Sequence, residues 1–151
     1  MDTGQVADSR ASELTRTAPA LVQLLARAGG TRVAEAFAAH GMDGLRPAHS
    51  LLLVPLLGGG RHASDLAAQL RVSRQAVAQV VAKLEQGGYV ERVADPGDAR
   101  AKLICLTARG RTALRVMRAT AQAVERDWEA RLGEQRLAEF RDTLTVLLEP
   151  S

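Results

Sequence analysis

Apolar positions recur at helical spacing along most of the chain, with one change of period near residue 90. From about 17 to 39, Leu21, Leu24, Leu25, Ala28, Val33 and Phe37 make a loose stripe that predicts a helix. Gly29-Gly30 is expected to bend or break it. Residues 40–44 read as a loop. Pro47 suits the first turn of a helix through 48–54. Pro55 then falls at an interior position and predicts a kink or an early end, and Gly58-Gly59-Gly60 closes the element. Ser64 is the expected N-cap of a short helix over 65–70, and Ser73 that of a regular helix over 74–86. The latter would bury Ala76, Val77, Val80, Val81 and Leu84 and stop at Gly87-Gly88. Two short helices three residues apart form a helix-turn-helix pattern.

Residues 89–93 and 103–106 are then rich in β-forming types. Between them Asp95-Pro96-Gly97-Asp98 reads as a type II turn, with Pro fixing one φ and Gly free to take the positive one. A β-hairpin over 89–106 follows. Thr107 can cap the next helix, which runs to about 131 with Leu114, Met117, Ala121, Val124 and Trp128 at alternating steps of three and four. Gly133 breaks it, and Leu137, Phe140, Leu144, Leu147 and Leu148 stripe a last helix. The expected fold is mainly α (α+β): a winged helix-turn-helix core with long helices on either side.

Composition sharpens this picture. The chain has 151 residues, one domain or one domain plus helical extensions. Apolar residues make up 46% but aromatics only 3%, so the core must be built from Leu, Val and Ala. No run of about 18 apolar residues spans a membrane. The N-terminal 17 residues are polar, with no apolar signal region, and a cytoplasmic protein is expected. The lone Cys105 excludes an intrachain disulfide and fits a reducing compartment. The net charge of +3 is unevenly spread: residues 61–111 hold nine bases and five acids, while the rest is nearly balanced. A basic centre between neutral arms points to a polyanionic partner, such as nucleic acid.

The stretch 64–110 resembles the winged-helix core of MarR-family transcriptional regulators. The resemblance rests on the helix-turn-helix, then Leu84, Glu85, Gly88, Val90 and Arg92, then Asp95, Asp98 and Arg100, then Leu106, Thr107 and Gly110. The flanking helices match in length and order only. Arg71 departs from the pattern where such turns often carry Gly, and Pro55 with the Gly triplet makes the preceding helix atypical. The resemblance implies a homodimeric, sequence-specific DNA-binding regulator, most commonly a repressor. Its division would be 1–45 as N-terminal dimerisation arm, 46–110 as DNA-binding core and 111–151 as C-terminal dimerisation helices.

In this motif class the N-terminal end of the second helix enters the major groove. Arg74, Gln75 and Gln79 lie there opposite the apolar face; Arg grips guanine and Gln adenine with paired hydrogen bonds. Lys83, Ser64 and Ser73 are expected to meet phosphate. Asp95, Pro96, Gly97 and Asp98 would stiffen the wing, the two acids accepting turn N–H bonds and Asp98 a candidate partner for an arginine. The resemblance makes Arg100 the residue that reaches into the minor groove, beside Lys102, where a narrow groove concentrates negative potential. Dimerisation is expected through Leu21, Leu114, Met117, Val124, Trp128, Leu137, Phe140 and Leu144, with intrachain packing as the competing use. Two half-sites about one helical turn, ~10 bp, apart on a pseudo-palindrome would follow.

The resemblance also admits release by a small aromatic ligand, with no pocket assignable from sequence. His49 either lines such a cleft or is simply half-buried. Cys105 lies on the wing strand opposite in phase to Ile104 and Leu106, which leaves redox sensing open. His40, His49 and His62 are not at metal-ligand spacings, and neither a metal nor a cofactor is expected. The segment 58–64 resembles a phosphate-binding loop but lacks the Gly-Lys-Ser/Thr ending, and no nucleophile–base pair stands out, so an enzyme is not expected. The main rival is a winged-helix module that binds protein. That module would carry apolar residues on the exposed helix face where this chain carries Arg and Gln.

Overall fold

The computed structural model describes residue 13 and residues 15–150. The segment 1–12, read above as lacking a signal region and as the start of the N-terminal arm, lies outside the described residues. The Ala- and Leu-rich stripe forms one helix, α1 (Ala18–Ala39), which continues through Gly29-Gly30 without a break. After a loop that buries Met42 and Leu45, Pro47–His49 makes a 3₁₀ turn leading into α2 (Ser50–Leu53). Pro55 has no N–H and would clash with a carbonyl four residues back. The chain accordingly tightens to a 3₁₀ turn over Val54–Gly58.

Arg61 then pairs with Ile104, donating to its carbonyl at 3.0 Å and accepting from its N–H at 2.8 Å. This adds a strand-like third edge to the hairpin that the sequence pattern did not reveal. Gly60 permits it, because a Cβ there would lie 2.7 Å from Cys105 Sγ and 3.0 Å from Leu103 Cβ. The next helix, α3 (Ala63–Leu70), starts two residues earlier than expected. His62 leaves the bridge in an extended conformation, and its carbonyl accepts from Asp65 and Leu66 N–H, both at 3.1 Å. His62 is thus the N-cap, and Ser64 is an exposed residue of the first turn that caps nothing. Arg71 ends α3 in the left-handed region at φ 54°, which explains why Gly is common at this place.

Ser73 caps α4 (Arg74–Gln86) as expected, its Oγ accepting from Ala76 N–H at 3.0 Å. Val77, Val81 and Leu84 are fully buried, with Ala76 and Val80 at the margin of that face. The antiparallel hairpin pairs β1 (Val90–Asp95) with β2 (Asp98–Leu106) from Val90↔Leu106 to Ala94↔Lys102, and its register shifts between Ala94 and Asp95. The turn is not type II, since Gly97 does not take a positive φ. The extra β2 residues at the register shift reshape the tip, and Asp95 Oδ1 holds Gly97 N–H at 2.9 Å instead. Thr107 caps α5 (Ala108–Leu132) by accepting from Gly110 N–H at 3.1 Å, and Gly133 at φ 81° turns the chain into α6 (Glu134–Leu148).

The result is a winged helix carried on long helices. Its apolar core joins Leu52, Leu53, Leu56, Leu66, Val77, Val81, Leu84, Ile104 and Leu106 with Phe37 of α1 and Ala113 and Leu114 of α5. The core is therefore continuous across the 45/46 and 110/111 divisions drawn from sequence. Arg32–Asp127 (2.5 Å) ties α1 to α5, and Arg141–Glu125 (2.8 Å) ties α6 to α5. Glu125 holds the Arg141 guanidinium, whose pKa it raises through that hydrogen bond. No helix among the described residues is long and apolar enough to cross a membrane.

Candidate nucleic-acid interface

Helix α4 presents two opposite faces. On a wheel of 3.6 residues per turn, Gln75, Gln79, Lys83 and Gln86 fall within about 80°, diametrically opposed to Val77, Val81 and Leu84. Arg74, Gln75, Gln79 and Lys83 are all exposed. Ser73 is exposed too, but its Oγ is committed to the cap. A phosphate there would meet first-turn backbone N–H groups rather than a free hydroxyl.

On the wing, the alternation that sends Ile104 and Leu106 inward carries Lys102 and Arg100 on the same face, past the edge of the core, where both are exposed. Among the described residues the ion pairs are Arg32–Asp127, His62–Asp95, Arg92–Glu85 and Arg141–Glu125. Arg74, Lys83, Arg100 and Lys102 belong to none of them. Five cationic or amide side chains on α4 and two cations on the hairpin therefore face solvent, with no carboxylate neutralising the cations.

The acids of the wing do structural work. Asp95 Oδ1 binds Gly97 N–H, and its Oδ2 reaches His62 Nε2 at 2.9 Å. Asp98 Oδ1 accepts from the Arg100 backbone N–H at 3.0 Å. The expected pairing of Asp98 with an arginine side chain is absent among the described residues, because that carboxylate already serves its own turn. His62, missed in the sequence, fastens the tip end of β1 to the start of α3; its only signal was its place beside the Gly triplet. Glu85 and Arg92 form an ion pair at 3.3 Å that ties the end of α4 to β1. Behind them Arg109 stacks 4.7 Å over the Tyr89 ring and donates to Tyr89 Oη and to the Gly41 carbonyl, joining α5 to the loop after α1. Helix, wing and long helix thus form one connected unit.

The predicted dimerisation residues divide. Leu114, Val124 and Leu137 are buried by the chain's own helices, at 8%, 9% and 2% exposure, and Met117 packs against the core. The chain's own helices cover them, which is the competing use named above. Trp128 and Phe140 meet edge to face at 6.1 Å and line an apolar cavity of about 380 Å³ with Val22, Leu25, Val33 and Leu144. Leu21 is 51% exposed, beside exposed Leu24 and Leu25, and Val146, Leu147 and Leu148 stand in solvent at the far end of α6. Cys105 is half-buried, with its Sγ over Gly60.

Residues 43–101, from the loop before α2 to the middle of β2, match the family model described as MarR family. Over that stretch the chain is similar to the MarR family. Over 96 residues, 63% of its length, the chain is 32% identical to the transcriptional activatory protein BadR of Rhodopseudomonas palustris. The aligned segment spans about half, 53%, of that curated relative's length. Among solved structures it is similar to a probable transcriptional regulator from Pseudomonas aeruginosa, with TM-score 0.62 and 29% identity over 84% of this chain and 96% of that one. It also shares the fold of the transcriptional repressor CouR bound to a 23-mer DNA duplex, with TM-score 0.73 and 22% identity over 91% of this chain and 96% of that one. The family match covers α4 and the wing as far as Arg100, with Lys102 just beyond it, and the fold likeness extends through the flanking helices.

Proposed function

We propose that this chain is a sequence-specific DNA-binding transcriptional regulator and not an enzyme. In this reading α4 enters the major groove, where Arg74, Gln75 and Gln79 meet base edges and Lys83 meets phosphate. The wing sets Arg100 and Lys102 at the adjacent minor groove. The observation that carries it is the set of unneutralised cations on α4 and β2, held on elements fastened together by His62–Asp95 and Glu85–Arg92. Such a surface favours a polyanion and is poorly suited to an apolar protein partner. A site of this kind acts in the compartment that holds the DNA, the cytoplasm.

The protein works as a homodimer on a pseudo-palindrome. Exposed Leu21, Leu24, Val146, Leu147 and Leu148 supply the apolar surface that a second copy would cover, with Trp128, Phe140 and Leu144 behind them. Residues 46–110 then carry DNA contact, and 1–45 with 111–151 carry association. The cavity beside Trp128 and Phe140 is of a size and polarity for one small aromatic ligand, whose binding would be coupled to dimer geometry because it shares those residues. Repression is the direction implied by the resemblance, although one relative is named an activator and one a repressor. A promoter–reporter assay with the gene present and deleted decides it.

The test of the whole reading is selection of bound duplexes from a random pool, with the winner retested at two salt concentrations. Recovery of two half-sites about 10 bp apart, with affinity falling steeply as salt rises, supports it. A pool without a motif refutes it and favours the protein-binding module.

A further inference from the structure

One polar cavity, separate from the wing, is lined by cations that no carboxylate pairs with. It has a volume of about 530 Å³ and lies between the loop before α2 and the last turn of α4. Arg46 and His49 face it from one side and Lys83 and Gln86 from the other, with Asp43 the one acid along its lining. Neither Arg46 nor Lys83 is in an ion pair among the described residues. His49 Nδ1 accepts from the Arg46 backbone N–H at 3.0 Å, so the neutral ring carries its proton on Nε2 and has a donor left to offer. Burial, then the charges of Arg46 and Lys83, hold the His49 pKa below its usual value.

The position matters as much as the composition. The exposed stripe of α4 that begins at Gln75 runs through Gln79 to Lys83 and Gln86, so the cavity opens at the end of the face that would follow the groove. A helix lying in the major groove has phosphates beside its far end, and a guanidinium, an ammonium and an imidazole N–H are donors suited to their oxygens.

We infer that Arg46, His49, Lys83 and Gln86 form a phosphate site that takes a backbone oxyanion of the DNA strand flanking α4. This rests on the DNA-binding reading above, and the same chemistry would accept a free phosphate. It assigns Arg46, His49 and Gln86 a role that the helix and wing pattern does not.

The experiment measures affinity for the selected duplex and for an unrelated duplex, between 50 and 200 mM salt, for the unmodified chain, Arg46→Ala, Lys83→Ala and Arg100→Ala. Both site positions are exposed, and a thermal melt of each variant confirms that it is folded. Arg46→Ala and Lys83→Ala are expected to weaken binding equally on both duplexes. Each lost contact should flatten the slope of log affinity against log salt by about 0.9, so the fall across that salt range shrinks about threefold. Unchanged affinity and slope in both variants, while Arg100→Ala weakens binding, overturns the phosphate site and leaves the DNA reading standing. If the unmodified chain binds no duplex, the DNA assignment falls altogether. Titration with inorganic phosphate, followed on the His49 ring resonances, separates the other source. Shifts seen without duplex binding, and lost in Arg46→Ala, give the site to a free anion and overturn the strand assignment.

Discussion

Gly110→Ala sets two physical effects against each other with opposite signs. Gly110 is buried in the first turn of α5, and a Cβ there would lie 2.1 Å from the Tyr89 carbonyl oxygen, 3.1 Å from its carbon and 3.0 Å from Leu106 Cδ2. A relaxed carbon–oxygen contact is about 3.3 Å, so α5 would have to move by about 1 Å. The obstacle is backbone, and it is pinned: Tyr89 O accepts from Thr107 N–H at 3.2 Å, and Thr107 Oγ1 donates to the Gly88 carbonyl at 2.5 Å. No rotamer change relieves it. Overpacking costs about 1–3 kcal/mol and occasionally more, and a backbone clash belongs at the top of that range. Ala gains about 1 kcal/mol of helix propensity over Gly, which leaves a net loss of about 2 kcal/mol. For a chain of this size that corresponds to a Tm lower by about 4–8 °C. The assay is a thermal melt of both proteins at equal protomer concentration, since association raises apparent stability. A Tm equal to or above that of the parent would show that propensity dominates and that α5 is not held against Tyr89 as described.

Arg100→Ala should weaken operator binding with little change in Tm, measured by anisotropy and melting; unchanged affinity removes the wing from the interface. Gln75→Ala is expected to lose about 1–3 kcal/mol on the selected site and less on a site altered at the base it reads; equal loss on every sequence would make it a phosphate contact. Arg71→Gly relieves left-handed strain of about 1–2 kcal/mol against a glycine entropy cost of about 0.5–1 kcal/mol. Its urea midpoint should therefore rise slightly, and a fall would mean that the Arg71 side chain packs usefully. His49 has a folded pKa below 6.5, so the unfolded chain takes up the proton first. Its contribution to stability is present above pH 6.5 and lost as pH falls from there through the folded value. Denaturation midpoints across that range should flatten in His49→Gln; an unchanged slope assigns the loss to other groups.

Much of the winged helix was legible because its signals are local. Ser73 and Thr107 cap their helices, Gly88 and Gly133 end theirs, and the period shifts from 3.6 to 2 where the hairpin begins. These depend on φ, on nearby hydrogen bonds and on side-chain spacing, all of which neighbouring residues set. The exposed stripe of Arg74, Gln75, Gln79 and Lys83 was readable for the same reason: one helix fixes the phase of every side chain on it.

What depended on distant residues was not legible. Ser64 looked like a cap, but the pairing of Arg61 with Ile104 fixed where α3 begins and made His62 the cap. Gly97 looked like the positive-φ residue of a type II turn, but the shifted strand register gave the tip another shape. Leu114, Val124 and Leu137 sat on apolar stripes with exposed neighbours, and periodicity cannot tell which stripe another helix of the same chain will cover. The links from His62 to Asp95 and from Glu85 to Arg92, and the meeting of Arg46, His49 and Lys83 around one cavity, likewise join separate segments. The sequence by itself determined the elements, their order and which face of α4 carries charge, because those follow from local stereochemistry and period. Only the tertiary structure decided which cations stay free of carboxylates and which apolar side chains stay uncovered, because that is set by what each segment meets when the chain closes on itself.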